Sequence, residues 1–146
     1  DFWEAEEEAL ENGDLTTAVE LNLRLWVDGI HRQPDEVNTA VRQKVGQMQR
    51  QIFQMEIPDD VEEVRLEPAA NGRLSQITAP TLVLVGDLDL PEKVEQVAWL
   101  AEQSPNTQHA VIPGVAHMLN MEKPSLFNQL VLDFLAGKSG TQRDTE

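Results

Sequence analysis

The feature that most constrains the fold of this chain is a short apolar run, Thr81–Val85, rich in β-branched side chains. Pro80 precedes the run, and Gly86 and Asp87 follow it, so residues typical of turns bound it on both sides. An almost uninterrupted apolar run of this length is typical of a strand that is buried on both faces of a parallel sheet. We therefore expect an α/β fold with this strand inside the sheet.

A second strand-like run, about 107–112, follows one helix later along the chain. Pro91 is expected to open the helix between the two runs, and Pro124 and Gly137 to bound the last helix. A strand–helix–strand unit of this kind forms a right-handed parallel crossover. Two parallel strands make a poor sheet by themselves, because such strands need both faces covered and more strands alongside. We therefore expect residues outside this chain to complete the sheet.

The first third of the chain predicts amphipathic helices and no strand. The stretch from Leu15 to Trp26 repeats apolar residues at helical spacing. A further helix is expected to begin at Pro34, where acidic residues follow in the first turn, and to stop at Pro58. Residues 1–11 contain six acids and no base, which is typical of a solvated helix face.

Residues with useful chemistry follow both predicted strands. Asp87 and Asp89 come after the first strand, and His117 lies in the loop after the second. Neighbouring parallel strands lie about 4.8 Å apart and end at the same edge of the sheet, so we expect Asp89 and His117 to meet. A carboxylate on one ring nitrogen fixes the tautomer and leaves the other nitrogen to take a proton from a nucleophile. Asp87 is expected to close a local Asx-type turn.

Motifs at these positions resemble the α/β-hydrolase fold family. Residues 79–89, APTLVLVGDLD, are similar to the family's strand that presents the acid of the catalytic triad, and residues 113–118, PGVAHM, are similar to its histidine loop. Residues 120–127, NMEKPSLF, resemble the start of its last helix. The resemblance implies that Asp89 is the triad acid and that His117 is the general base.

The resemblance also implies how the chain is organised. It covers about residues 74–135, and the helical first third is similar to part of the cap that these enzymes insert before the acid strand. We therefore expect a helical cap (lid) segment over residues 1–67, the C-terminal part of the hydrolase core over residues 68–137 and a flexible tail over residues 138–146. In this family the cap covers the pocket and selects the substrate.

The same resemblance bears on substrate and nucleophile. Trp26 in the cap and Met118 beside the histidine are expected to contact a small-molecule substrate. The family's nucleophile elbow, Gly-x-Ser-x-Gly, does not occur in these 146 residues. The chain therefore resembles a C-terminal fragment that is inactive alone. Hydrolysis of an ester or amide bond by a Ser-His-Asp triad would need a serine from the N-terminal half of the hydrolase. That half, or a second copy of the chain, is also the expected partner that completes the sheet.

Two other functions remain open on the sequence. The segment Asp87-Leu88-Asp89 matches the Asp-x-Asp of haloacid-dehalogenase-like phosphatases, in which one acid attacks phosphate and Mg²⁺ is bound, although Leu90 stands where a hydroxyl residue is usual. The acidic helices would instead suit a non-enzymatic interaction module that binds a basic partner. A magnesium titration distinguishes the first alternative, and the salt dependence of association distinguishes the second.

Composition narrows the partners and the compartment. The formal net charge of −15 argues against unaided binding to nucleic acid or to an anionic membrane, because both need basic patches. No apolar run approaches the length of a membrane span. The chain has no cysteine, which fits the reducing cytoplasm where we expect the protein. No cluster of ligating residues has metal spacing, so we expect neither a metal nor a cofactor.

Overall fold

The computed structural model describes residues 1–56, 61 and 64–138. Within this part the chain forms six α-helices and two β-strands. In chain order they are α1 (Phe2–Glu11), α2 (Leu15–Asn22), α3 (Thr39–Phe53), β1 (Thr81–Gly86), α4 (Pro91–Gln103), β2 (Thr107–Ile112), α5 (Leu119–Glu122) and α6 (Pro124–Leu135). The helix expected to stop at Pro58 ends earlier, at Phe53, and Gln54 already lies outside it. Pro58 itself and the expected tail beyond residue 138 lie outside the described residues.

The two strands form the parallel pair that the sequence predicts. Their register runs from Thr81 opposite Thr107 to Gly86 opposite Ile112. Helix α4 connects them and packs against both strands. Val85 and Ile112 are buried near the carboxyl ends of the strands. The fold class is therefore α/β, with helices followed by a strand–helix–strand–helix unit.

The helices before the sheet pack around a small apolar core. Its buried members are Val19, Leu23, Val27, Val37 and Val41. Asp14 caps α2 by accepting the Thr17 backbone N–H at 3.0 Å, and the Thr17 hydroxyl donates to the same carboxylate at 2.7 Å. These hydrogen bonds from Thr17 lower the pKa of Asp14. Helix α2 continues directly into a π-helical turn, Leu23–Asp28.

The expected helix start at Pro34 is wrong by five residues. Pro34–Glu36 forms only a short 3-10 turn, and α3 begins at Thr39. Between them Val37 is extended and only 4% exposed, because its side chain packs into the apolar core. Asn38 then caps α3 by accepting the N–H of Ala40 at 2.9 Å. Burial of one valine therefore outweighs the helix-starting preference of the proline.

A buried ion cluster lies inside the same helical part. The Asp28 side chain is fully buried and accepts hydrogen bonds from Arg24 at 3.1 Å and from Arg42 Nε at 3.0 Å. Arg42 also pairs with Glu20 at 2.6 Å. Burial acts to lower the pKa of Arg42, but the hydrogen bonds that Arg42 donates to Asp28 and Glu20, with the charges of these acids, outweigh it, so the pKa is raised. Arg42 therefore stays charged opposite the buried carboxylate.

None of the helices in the described ranges is long and apolar enough to cross a membrane.

Candidate active site

Asp89 and His117 meet at the carboxyl edge of the sheet. Asp89 lies in the loop after β1 and His117 in the loop after β2, and Asp89 Oδ2 is 2.7 Å from His117 Nδ1. Asp89 is 4% exposed, whereas the His117 side chain is 44% exposed. The structure therefore brings together the two residues that the sequence singles out, with the carboxylate buried and the imidazole open.

The hydrogen bonds of Asp89 decide which nitrogen of His117 is free. Asp89 Oδ1 accepts the backbone N–H of Leu90 at 2.8 Å. An ionised carboxylate can only accept, so His117 Nδ1 carries the proton of their contact. In the neutral imidazole Nε2 then keeps its lone pair, and no described residue forms a hydrogen bond with Nε2. Nε2 of His117 can therefore take up a proton, and the buried carboxylate of Asp89 stabilises the imidazolium that forms.

Backbone hydrogen bonds hold the acid loop to the histidine loop. Asp87 Oδ1 accepts the N–H of Gly114 at 2.5 Å. The N–H of Asp87 donates to the carbonyl of Ile112 at 3.1 Å, and the N–H of Leu88 donates to the carbonyl of Val115 at 3.0 Å. The side chain of Asp87 therefore ties the two loops together, whereas its position in the sequence predicts a local Asx-type turn.

Two glycines allow three backbone segments to meet beside the site. A Cβ on Gly86 would stand 2.1 Å from the carbonyl oxygen of Val115, so only glycine lets the histidine loop cross the end of β1. Gly29 has φ of +72°, and a Cβ there would stand 2.5 Å from the carbonyl oxygen of Leu88 and 3.2 Å from Cβ of Ala116. The segment after the π-helical turn therefore touches both loops that carry the site.

Trp26, expected from the sequence to contact substrate, lies against His117. The two ring centroids are 4.8 Å apart and the ring planes are inclined by 53°. The carbonyl of Trp26 also accepts the backbone N–H of His117 at 3.3 Å. Trp3 extends this contact, with its ring centroid 6.4 Å from that of Trp26. Trp26 thus borders the imidazole, and its contact with a substrate stays a prediction.

Met118, the other residue expected near the substrate, is half-buried and packs against the apolar core of the first three helices. Met121 packs against the same core. The chain following His117 is therefore anchored in the helical part of the molecule. Contact of Met118 with a substrate stays a prediction.

An open apolar groove of about 560 Å³ lies beside His117, between β1 and α6. Leucines of β1 and apolar side chains of α6 line it. The lining includes Leu82, Leu84, His117, Phe127, Val131 and Phe134. Helix α6 has no fully buried residue, although it is rich in leucine and phenylalanine. The groove is therefore an apolar surface that the described residues leave uncovered.

The described residues place no nucleophile or metal ligand set at His117. Ser75 and Ser104 precede the strands, at the opposite end of the sheet, and Ser125 lies in the first turn of α6. Ser139 lies outside the described residues. Among the described residues, no group of three or more His, Asp or Glu could hold a metal ion.

A buried ion pair, Arg32–Glu122, joins the helical part to the histidine loop, and the sequence pattern does not predict it. Arg32 follows the π-helical turn, and Glu122 ends α5, 90 residues later. Glu122 lies inside the segment 120–127 that resembles the hydrolase family, which is the one sequence signal for it. Arg32 has no such signal, because its partner is so distant along the chain.

The chain is similar to known proteins in part of its sequence and in its fold. No protein-family model matches the chain. A stretch of 63 residues is 43% identical to the pimeloyl-[acyl-carrier protein] methyl ester esterase of Yersinia enterocolitica, and it covers 42% of this chain and 24% of that protein. The chain therefore spans about a quarter of the length of this curated relative.

Solved structures match over most of this chain and about half of their own length. A thermophilic esterase has a TM-score of 0.62 at 21% identity, over 90% of this chain and 50% of its own. MenH from S. aureus has a TM-score of 0.60 at 20% identity, over 94% and 53%. Bromoperoxidase from Bacillus anthracis has a TM-score of 0.62 at 21% identity, over 91% and 48%. Identities this low establish the fold rather than the activity. The chain carries part of the fold that defines the α/β-hydrolase fold family.

Proposed function

We propose that this chain supplies the acid and the general base of an ester-hydrolysing enzyme, with a serine nucleophile contributed by residues outside 1–146. The observation that carries the proposal is the 2.7 Å contact between buried Asp89 and half-exposed His117 after consecutive parallel strands. The esterase names of a curated relative and of a structural neighbour support ester hydrolysis as the reaction.

The chemistry follows from the free Nε2 of His117. As the serine oxygen attacks the ester carbonyl carbon, its proton moves to Nε2, and Asp89 stabilises the imidazolium that forms. Nε2 then returns this proton to the departing alcohol, which leaves an acyl-enzyme. A water molecule attacks the acyl carbon and gives its proton to Nε2. That proton finally returns to the serine oxygen, which releases the carboxylic acid.

The phosphatase alternative fits the site less well. Its attacking carboxylate must reach a phosphorus atom, but Asp89 is 4% exposed and holds His117. Asp87 binds the backbone of Gly114 instead of projecting alone into a pocket. Neither acid of the Asp-x-Asp segment is therefore disposed for attack on a phosphate.

We also propose that the N-terminal half of the hydrolase completes the sheet along the outer edge of β1. Thr81 donates its N–H to Asn106 at 3.0 Å, and Asp87 donates to Ile112 at 3.1 Å, which directs alternate residues toward β2. By this alternation Leu82 and Leu84 direct their backbone N–H and C=O groups to the other edge. In the described part of the chain no strand pairs with that edge.

The apolar groove supports the same partner. Unpaired strand edges and exposed apolar faces are costly in water, and another strand with its side chains would cover both. The groove of about 560 Å³ lies on the side chains of Leu82 and Leu84, the residues whose backbone faces the open edge. A partner that adds a strand at β1 would therefore also fill the groove.

An activity assay tests the proposed function. The complete reading frame that contains this chain is expressed, and hydrolysis of p-nitrophenyl butyrate is measured for the wild type, His117→Ala and His109→Ala. We expect His117→Ala to lower kcat about 10²- to 10⁴-fold, because it removes general-base catalysis. His109→Ala is the matched control, since His109 is an exposed residue of β2 away from the site. Full activity of His117→Ala, or no ester hydrolysis by the wild type, would contradict the proposal.

A further inference from the structure

Arg32 connects the helical part of the molecule to α5 through four hydrogen bonds. Its Nη1 and Nη2 donate to the two carboxylate oxygens of Glu122 at 2.6 and 3.1 Å. Its Nε donates to the carbonyl of Asp28 at 2.9 Å, and Nη2 donates to the carbonyl of Val27 at 2.7 Å. A planar guanidinium suits this set, because its five N–H donors are fixed in one plane, whereas a lysine ammonium cannot span it.

Glu122 carries the connection to the residue before the histidine. Its Oε1, which accepts from Arg32, also accepts the backbone N–H of Ala116 at 3.2 Å. Ala116 is fully buried, and the next backbone N–H, that of His117, donates to the carbonyl of Trp26. Two consecutive N–H groups of the histidine loop are therefore held, one by Glu122 and one by the π-helical turn.

The carbonyls that Arg32 holds lie directly after Trp26. Val27 and Asp28 complete the π-helical turn that carries Trp26. The guanidinium of Arg32 therefore binds both this turn and the carboxylate of Glu122. The side chains of Arg32 and Glu122 are only 11% and 7% exposed. In a pair this little exposed, loss of one member leaves the other charge unpaired, so we expect either substitution to disturb the contacts around it.

We propose that Arg32 and Glu122 are positioning residues that set the orientation of the His117 imidazole between Asp89 and Trp26. The inference rests on the proposed function in that His117 is the general base. On the other side of the loop, Asp87 holds Gly114. The histidine loop is thus fixed at both ends, and the helical segment contributes to this support through Arg32, which pairs with Glu122, and through the carbonyl of Trp26.

The test observes the histidine ring directly, so it does not depend on catalysis. The ring ¹⁵N shifts of His117 are recorded for the full chain, for Arg32→Lys, for the isosteric Glu122→Gln and for Arg50→Lys. Arg50 is the matched control, because it lies in α3 and donates to Thr16, away from both loops. We expect Arg32→Lys and Glu122→Gln to lower the fraction of the Nδ1–H tautomer while far-UV circular dichroism stays unchanged. Arg50→Lys should leave the tautomer as in the wild type.

Kinetics and amide exchange complete the test. In the complete reading frame, both substitutions should lower kcat for p-nitrophenyl butyrate about 10²-fold with little change in KM, because they misplace the base. In the unsubstituted chain, the Ala116 amide should exchange slowly although it lies in a loop. Unchanged His117 shifts in the folded variants, an equal change in Arg50→Lys, or rapid exchange at Ala116 would each overturn the inference. Altered ring shifts without ester hydrolysis by the wild type would overturn the proposed function and leave the positioning role standing.

Discussion

At the scale of single residues, the site depends on how one carboxylate divides its two oxygens. Asp89 Oδ1 accepts the N–H of Leu90, and Asp89 Oδ2 accepts a hydrogen bond from the imidazole of His117. Both bonds require an acceptor, and the side chain is nearly inaccessible to water. The identity of residue 89 therefore controls the tautomer of His117 as well as the shape of the loop.

Asp89→Asn is expected to preserve the shape of the loop and to damage the chemistry. An amide that presents its NH₂ group to Nδ1 stabilises the wrong tautomer, so Nε2 carries a hydrogen and cannot accept one. We expect kcat for p-nitrophenyl butyrate to fall by about 10⁴-fold, the order of magnitude for this type of change in a triad. The measurement is steady-state kinetics on the complete reading frame, with thermal unfolding to show that the fold is retained. A folded Asp89→Asn protein with near-wild-type kcat would exclude Asp89 as the triad acid.

At the scale of elements, the close backbone packing around Gly29 predicts a large effect of one methyl group. Gly29 has φ of +72° and would place a Cβ 2.5 Å from the Leu88 carbonyl oxygen, whereas Gly13, at +71°, has nothing within 4 Å of such a Cβ. We expect Gly13→Ala to cost about 1–2 kcal/mol from backbone strain alone. We expect Gly29→Ala to cost about 1–3 kcal/mol more from overpacking. Equal free energies of unfolding in urea for the two variants would show that the segments at Gly29 are not tightly packed.

Elements defined by local signals could be predicted from the sequence, and contacts between distant segments could not. The apolar runs and their bounding turns predict β1 and β2, and parallel pairing then brings Asp89 and His117 to one edge. Helix α3 begins at Thr39 and not at Pro34, because Val37 is buried in the core. This burial is a tertiary effect that the local sequence does not predict.

The contacts around the His117 imidazole likewise could not be predicted from local sequence patterns. The π-helical turn at Leu23–Asp28 has the same apolar spacing as an ordinary helix, so nothing distinguishes it in the sequence. Arg32 and Glu122 pair across 90 residues, and no periodicity links them. The sequence therefore predicts which residues form the candidate site, whereas their support depends on how the helical part packs.

At the scale of the whole molecule, the uncovered groove predicts association of the isolated chain. We expect the 146-residue chain to form dimers or larger species at micromolar concentration, because no strand among the described residues pairs with the outer edge of β1, which lies beside an apolar surface. Val131→Glu, which puts a charge in the groove, should shift the population toward monomer. Met48→Glu is the matched control, since Met48 is an exposed apolar residue of α3. Native mass spectrometry measures the species, and a stable wild-type monomer would contradict the expectation.

Covalent labelling of the complete reading frame with a fluorophosphonate tests whether His117 activates a serine that lies outside residues 1–146. The probe reacts with a serine only when a nearby base activates it. We predict that peptide mapping finds the label on a serine outside residues 1–146, and that His117→Ala slows labelling about 10²-fold or more, whereas His109→Ala leaves the rate unchanged. Labelling on Ser75, Ser104, Ser125 or Ser139, or a labelling rate that is the same in His117→Ala, would contradict the account.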